Sequence, residues 1–351
     1  MLMKEISIAG AGVIGLSAAL ELALAGARVT VFERGLAMRE SSWAAAGMLA
    51  AADPANPAEL HALSIFSLHL YPEFLASIER LSGKRVPILT TQTLQGAHSL
   101  PPNAHQLSAE TVQVLAPGLQ TNGIKFFLLN EKCLDPRILG EALITAVKKA
   151  GITLLEQTSV TSVELRADKV QVHTSAGDFT ADEFVNACGA WASDLSGIHI
   201  TPRKGQLFLA QHPHLYADQH LTAAVRTPHI YLIPRPEKRV LVGATVENSG
   251  FDKSIDPDVI ESLRNSAADL WPPVRDAYVV DTWSGLRPAS PDSLPVIGAK
   301  APHHWLALGH FRNGILLAPG TARLLRQMIF DEPLSIDPHH FAPARFSAMR
   351  A

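Results

Sequence analysis

Two groups of residues in this sequence have the types and spacing to do chemistry. Gly10, Gly12 and Gly15 recur in Gly10-Ala11-Gly12-Val13-Ile14-Gly15, and an acid, Glu33, closes the unit within about thirty residues. That spacing suits a dinucleotide. Gly10 permits a tight turn, Gly12 lets the backbone approach a pyrophosphate, and Gly15 allows close helix–strand packing. Free N–H groups at a helix start would meet the phosphates, while Glu33 would accept hydrogen bonds from a ribose diol and repel a 2′-phosphate, which disfavours NADP. These residues do not choose between FAD and NAD. The second group centres on Arg287, in the apolar, Gly/Pro-flanked stretch Trp283 to Pro288. An unpaired charge is expensive to bury there, so Arg287 needs an anionic partner, either a structural acid or a substrate.

The elements that must position these groups follow from patterning. Ile6 to Ala9 is expected as a short buried strand, Leu16 to Ala25 as a helix stopped by Gly26, and Arg28 to Phe32 as a second strand ending at Glu33. Residues 34–56 form a long loop of small residues around Ser41 and Ser42, the kind that wraps a ligand. Asn56-Pro57 opens a helix to about Leu81. Asp135-Pro136 opens another to near Gly151, with Ile138, Leu139, Leu143, Ile144 and Val147 as its apolar stripe. Three β-type runs, 158–165, 169–174 and 178–186, are expected to complete the dinucleotide sheet. Runs 206–210, 229–234 and 239–244 alternate like a mostly antiparallel sheet, with 235–238 as a turn. Asp256-Pro257 begins a further helix. Then come a strand over 278–284, a loop over 285–291, a returning strand at Trp305 to Leu308, and a helix from Gly314 to Ile329. The expected fold class is α/β with two domains: a Rossmann-like dinucleotide domain on a mixed parallel sheet, and a second domain on a mostly antiparallel sheet.

Composition removes other classes. The 351 residues, 47% apolar and 18% charged, suit a globular protein with a large buried core, and a net charge of −3 gives no reason to expect a nucleic-acid or anionic-membrane partner. Two distant cysteines, Cys133 and Cys188, argue against a disulfide framework, zinc or an iron–sulfur cluster. His339-His340 has no third ligand nearby, so no metal site is expected. The uncharged run Ile6 to Leu20 has a signal peptide or anchor as its alternative reading, but its glycines already have a use. Glu21 also ends it before the roughly 20 apolar residues that a membrane span needs. A reducing, cytoplasmic location is the default.

Further motifs bring a resemblance. With the glycine fingerprint, Ala44-Ala45-Ala46-Gly47-Met48-Leu49, Asn186-Ala187-Cys188-Gly189-Ala190-Trp191 and Lys204-Gly205-Gln206 resemble the D-amino-acid oxidase superfamily of flavoproteins. Tyr231-Leu232-Ile233-Pro234-Arg235, Gly243-Ala244-Thr245, Trp283-Ser284-Gly285-Leu286-Arg287-Pro288 and the run His310 to Pro319 are similar to its glycine oxidase branch, which serves thiazole synthesis. The resemblance spans nearly the whole chain in order. It implies non-covalent FAD, in a discontinuous FAD-binding domain over 1–80, 135–200 and 280–351 with a substrate domain over 81–134 and 201–279. Val13, Ile14, Glu33, Arg34, Ser41 and Ser42 would meet the ADP half. Val160 would offer backbone groups to the adenine, and Ala46, Gly47 and Met48 would lie near the flavin. His310, Phe311, Arg312, Asn313, Gly314, Ile315 and Leu316 would wrap the isoalloxazine ring.

On that reading Arg287 anchors a substrate carboxylate with its planar fork. Tyr231 adds a phenol hydrogen bond, its alternative being a half-buried strand tyrosine. The side chain or backbone carbonyl of Arg312 orients the amine, its alternative being a phosphate or structural contact. His229 and His310 receive no base role, because the cofactor carries the difficult step once the amine is neutral. The implied reaction is oxidative deamination of glycine, and of sarcosine and small D-amino acids, with oxygen reduced to hydrogen peroxide, in an enzyme that the family suggests is a homotetramer. Val246 stands where a bulkier residue is expected in some members, which leaves open whether Met48 and Val246 shape a glycine-sized pocket. The rival readings are a D-amino-acid dehydrogenase that passes electrons to a quinone or carrier, and a non-catalytic flavin-binding protein.

Overall fold

The computed structural model describes residues 3–212 and 220–350. A six-stranded sheet runs in the order 296–301, 304–308, 183–186, 5–9, 28–32, 153–155, and all its pairings are parallel except that between the first two strands. Glu5–Ala9 and Arg28–Phe32 lie inside it with Ile6, Ile8, Val29 and Val31 buried, as expected of strands covered on both faces. Helices Val13–Leu24 and Gly314–Ile329 pack on each other, and His61–Ser82 and Pro136–Lys149 lie against them. Leu16, Leu20, Leu139, Leu143, Leu317 and Leu324 belong to the shared core. Asp135 caps its helix by accepting from the Arg137 N–H, ahead of Pro136 at the first turn.

The second sheet has seven strands in the order 278–289, 201–211, 239–243, 231–235, 224–226, 93–97, 125–129. Its pairings are antiparallel apart from 224–226 with 93–97. Helix Pro257–Leu270 contributes Leu263 and Ala267 to a core with Phe208, Val240 and Val242 from this sheet. Among the described residues no helix is long and apolar enough to cross a membrane.

Several expectations are corrected. Strands 160–165, 170–174 and 177–181 form a separate antiparallel sheet, and only Glu183–Asn186 enters the parallel one. Between Ala181 and Phe184 stand only Asp182 and Glu183, with no glycine or proline to mark the change of sheet. Residues 285–289, expected as loop, extend the strand Tyr278–Ala289 of the seven-stranded sheet. Pro288 fits because this is an edge strand. The fingerprint helix begins at Val13 rather than Leu16, and the small-residue loop contains the short helix Ser41–Ala44 and the strand Met48–Leu49. Ile138 is 37% exposed because it stands one residue off the stripe, whose buried face is completed by Ala142 and Ala146.

The glycine turn is tightly packed. A Cβ at Gly15 would stand 1.9 Å from the Gly10 carbonyl oxygen, and one at Gly10 would stand 2.4 Å from the Ala187 oxygen. Gly10 also has φ +101°. Gly10→Ala is expected to destabilise the fold by about 3 kcal/mol, read from denaturant midpoints. A loss below about 0.5 kcal/mol would contradict this packing.

Candidate functional site

A continuous cavity of about 620 Å³ runs between the two large sheets, within the range of ligand and cofactor sites. The six-stranded side supplies Gly10, Gly12, Val13, Ile14, Glu33 and Arg34 to its wall, and the seven-stranded side supplies Tyr231 and Arg287. Ser41, Ser42, Ala46, Gly47, Met48 and Val160 line it too, as does the run His310 to Ile315.

At the fingerprint, Glu33 lies at the end of its strand and is nearly buried. One carboxylate oxygen accepts from Ala11 N–H at 2.8 Å and the other from Gly35 N–H at 2.9 Å, which fixes its position on the wall. The residue at the helix N-cap, Gly12, has no side chain to cap it. Val13 N–H donates to Ser42 Oγ at 2.9 Å, and the remaining first-turn N–H groups suit an anion. Ser41 donates to the Leu286 carbonyl, tying this segment to the second sheet. Arg34 pairs with Glu40 at 2.9 Å and stacks over Trp191 at 3.5 Å, a partner that the sequence did not announce. Gly47, at φ +85°, brings the chain so close to Leu134 that a Cβ would stand 1.9 Å from its oxygen. The Ala46 carbonyl accepts from Arg235 at 2.7 Å, so the small-residue turn is pinned from both sides. Cys188 lines the wall near Glu33, and burial pushes its thiol up to about 12.

Gly15 and Leu316 stand apart from the wall. Gly15 serves the turn packing, and Leu316 is buried in the core, its carbonyl accepting from Ser67 at 2.6 Å.

Across the cavity, sheet order places Arg287 and Tyr231 together. Arg287 is on the edge strand and Tyr231 on the fourth, with the strands carrying Gly205 and Gly243 between them. Both side chains lie over those glycines: a Cβ at Gly205 would meet the Arg287 guanidinium at 2.3 Å, and one at Gly243 the Tyr231 oxygen at 2.6 Å. Arg287 donates to the Thr245 carbonyl at 3.0 Å and lies near enough to the Tyr231 phenol for the two to interact electrostatically. The acid that acts on it, Glu247, already binds Thr245, Gln206 and Lys204. Burial depresses the Arg287 pKa, and the Tyr231 interaction opposes that shift. Burial pushes the Tyr231 phenol up to about 12, against the pull of Arg287 and Arg235, so it remains a donor.

Arg312 lines the same cavity but is already engaged, donating to the Ala55 carbonyl at 3.1 Å and standing 3.7 Å from Asp53. His310 is buried, its Nε2 3.0 Å from Thr321 Oγ1, and burial pushes its pKa down to about 3. His229 is exposed on the wall. Sequence reasoning missed a buried cluster on the wall: Arg226 meets Gln95 at 2.6 Å, Glu131 at 3.0 Å and Asp53 at 3.8 Å. Its signal was an arginine and a glutamine in otherwise apolar strands.

Residues 5–328 match the family of FAD dependent oxidoreductases designated DAO. The glycine oxidase of Pseudomonas aeruginosa is 34% identical, covering 97% of this chain and 99% of that protein. The bifunctional protein ThiO/ThiG of Nostoc is 33% identical over 97% of this chain, which spans 55% of that longer protein. The crystal structure of glycine oxidase from Geobacillus kaustophilus superposes with a TM-score of 0.89 at 27% identity, covering 98% of this chain and 99% of that one.

The neutral His310 has a consequence for acid stability. Above its ordinary value of 6.5 neither state is protonated. Between pH 6.5 and about 3 the unfolded chain takes up a proton that the folded chain refuses, so stability declines as pH falls. From pH 6.5 to 5 this residue is expected to cost about 2 kcal/mol, at about 1.4 kcal/mol per pH unit. His310→Gln should flatten the pH dependence of unfolding by that amount, and identical dependence in the two proteins would contradict the buried neutral ring.

Proposed function

This chain belongs to the FAD-dependent oxidoreductase family, and from that premise we propose that it oxidises glycine to the imine, with sarcosine and small D-amino acids as further substrates. The observation that carries the reading is Arg287, a partly buried guanidinium that shares the cavity wall with a protonated phenol while its neighbouring acid is bound elsewhere. A substrate carboxylate supplies the missing anion. Arg287 would take it with its fork and Tyr231 would donate a second hydrogen bond, fixing the α-carbon in place.

The residues fit FAD. Glu33 fits the ribose diol, the free N–H groups of the helix start fit the pyrophosphate, and the cavity is large and continuous between both sheets. Bound FAD supplies the two-electron acceptor. Glycine gives up two electrons and two protons to become the imine, oxygen takes them to form hydrogen peroxide, and water converts the imine to glyoxylate and ammonia. No side-chain base is invoked. His310 is held neutral but its Nε2 is occupied by Thr321, and His229 sits exposed, so the protein's contribution is anchoring, orientation and exclusion of water. Arg312, already held by Asp53 and Ala55, would contribute to substrate orientation through its place beside Arg287. The glycine oxidase and ThiO/ThiG relatives support a role in making the thiazole of thiamine. Non-covalent attachment of the flavin, a cytoplasmic location and a homotetramer belong to the same proposal. So does the division of labour in which the six-stranded unit binds FAD and the seven-stranded unit binds substrate.

Arg287→Ala is expected to lower kcat/KM for glycine by about 10²–10³, the cost of losing a buried charge partner, and Tyr231→Phe by about tenfold. Oxygen consumption against glycine concentration measures both. Turnover of Arg287→Ala within threefold of wild type would overturn the carboxylate anchor.

A further inference from the structure

The buried cluster at Asp53 has no task in that account. Its carboxylate is shared between two cations, with Oδ2 3.7 Å from Arg312 Nη2 and 3.8 Å from Arg226 Nε. Asp53, Arg226, Arg312 and Arg287 all line the one cavity. Arg226 has a second acid, Glu131, at 3.0 Å, and Gln95 at 2.6 Å. Among the described residues Arg312 has the Ala55 carbonyl as its one polar partner besides Asp53, and its side chain is 34% exposed. It is also near enough to Arg287 for the two charges to repel.

The charges on this wall can be set against each other. Glu131 answers Arg226, Asp53 answers Arg312, and Arg287 is left with a carbonyl and a phenol. One carboxylate entering the cavity therefore completes the balance. A second would have to lose its water beside the Asp53 carboxylate, with no unengaged cation to receive it.

We propose that Asp53 sets the charge class of the substrate: by occupying Arg312 it leaves Arg287 as the cation for a single carboxylate, and the cavity turns away amines that carry a second one. This rests on the reading that Arg287 binds the substrate carboxylate. Asp53 is then a specificity-determining residue that acts through Arg312.

Asp53→Asn is the appropriate variant. Asp53 Oδ1 accepts from Ala55 N–H at 2.9 Å, closing a local turn that asparagine also supports, so the loop is kept while the charge is removed. The test titrates the FAD-loaded enzyme with two unreactive ligands, acetate and malonate, by calorimetry and by perturbation of the flavin absorption. Wild type should prefer acetate. Asp53→Asn should shift the ratio of the two dissociation constants at least tenfold toward malonate, and adding Arg312→Gln should abolish that shift. A ratio unchanged within threefold overturns the proposal, as does a shift that survives Arg312→Gln. Glycine turnover by the wild type is followed in parallel. If the ratio shifts but glycine is not oxidised, the glycine reading falls and the role of Asp53 stands; if glycine is oxidised and the ratio does not move, the reverse holds.

Discussion

The Arg287 guanidinium sits in the wall of a cavity between two sheets, held by the Thr245 carbonyl with the Tyr231 phenol nearby, and the acid that acts on it is bound to other residues. A cation in that setting is costly until an anion arrives, which is the ground for the proposal that this wall receives a carboxylate. Its position is a product of sheet order. Arginine and tyrosine come from strands separated by two others, and they meet because those strands carry glycine where the side chains cross. Any side chain at 205 or 243 would occupy the space that the guanidinium and phenol now fill.

The opposite wall solves a different problem with backbone. Gly10 and Gly15 allow the first strand, the helix start and the strand at Ala187 to crowd together, while Glu33 is locked by two N–H groups. The small residues 44–48 and the segment 310–315 then bring both halves onto one cavity. The C-terminal helix Gly314–Ile329 packs on the fingerprint helix, so the end of the chain completes what its beginning starts. Fold and site are therefore one construction, in which the parallel sheet supplies the glycine turn and Glu33 and the antiparallel sheet supplies Tyr231 and Arg287 to the same cavity.

What could be read from sequence was local or chemically loud. Strand, glycine turn, helix, strand and Glu33 lie in one short stretch, and each residue type there answers a requirement of its neighbours. Arg287 stood out as a charge in apolar company. The change of sheet at Asp182 was quiet, because no glycine or proline marks it, and the strand 285–289 was hidden by glycine and proline that an edge strand tolerates. The Asp53, Gln95, Glu131 and Arg226 cluster was illegible for another reason. Its members come from a loop, a strand, a turn and another strand far apart in the chain, and only tertiary packing shows that they share charge. The glycines at 205 and 243 were visible as motif residues, but their purpose depends on which strands become neighbours.

The central claim is that the cavity presents glycine to bound FAD. Its most direct test is anaerobic mixing of the FAD-loaded protein with glycine while the visible flavin absorption is followed. The account predicts loss of the yellow colour, its return on admitting air, and formation of hydrogen peroxide and glyoxylate in equal amounts. A flavin that stays yellow at saturating glycine would contradict it.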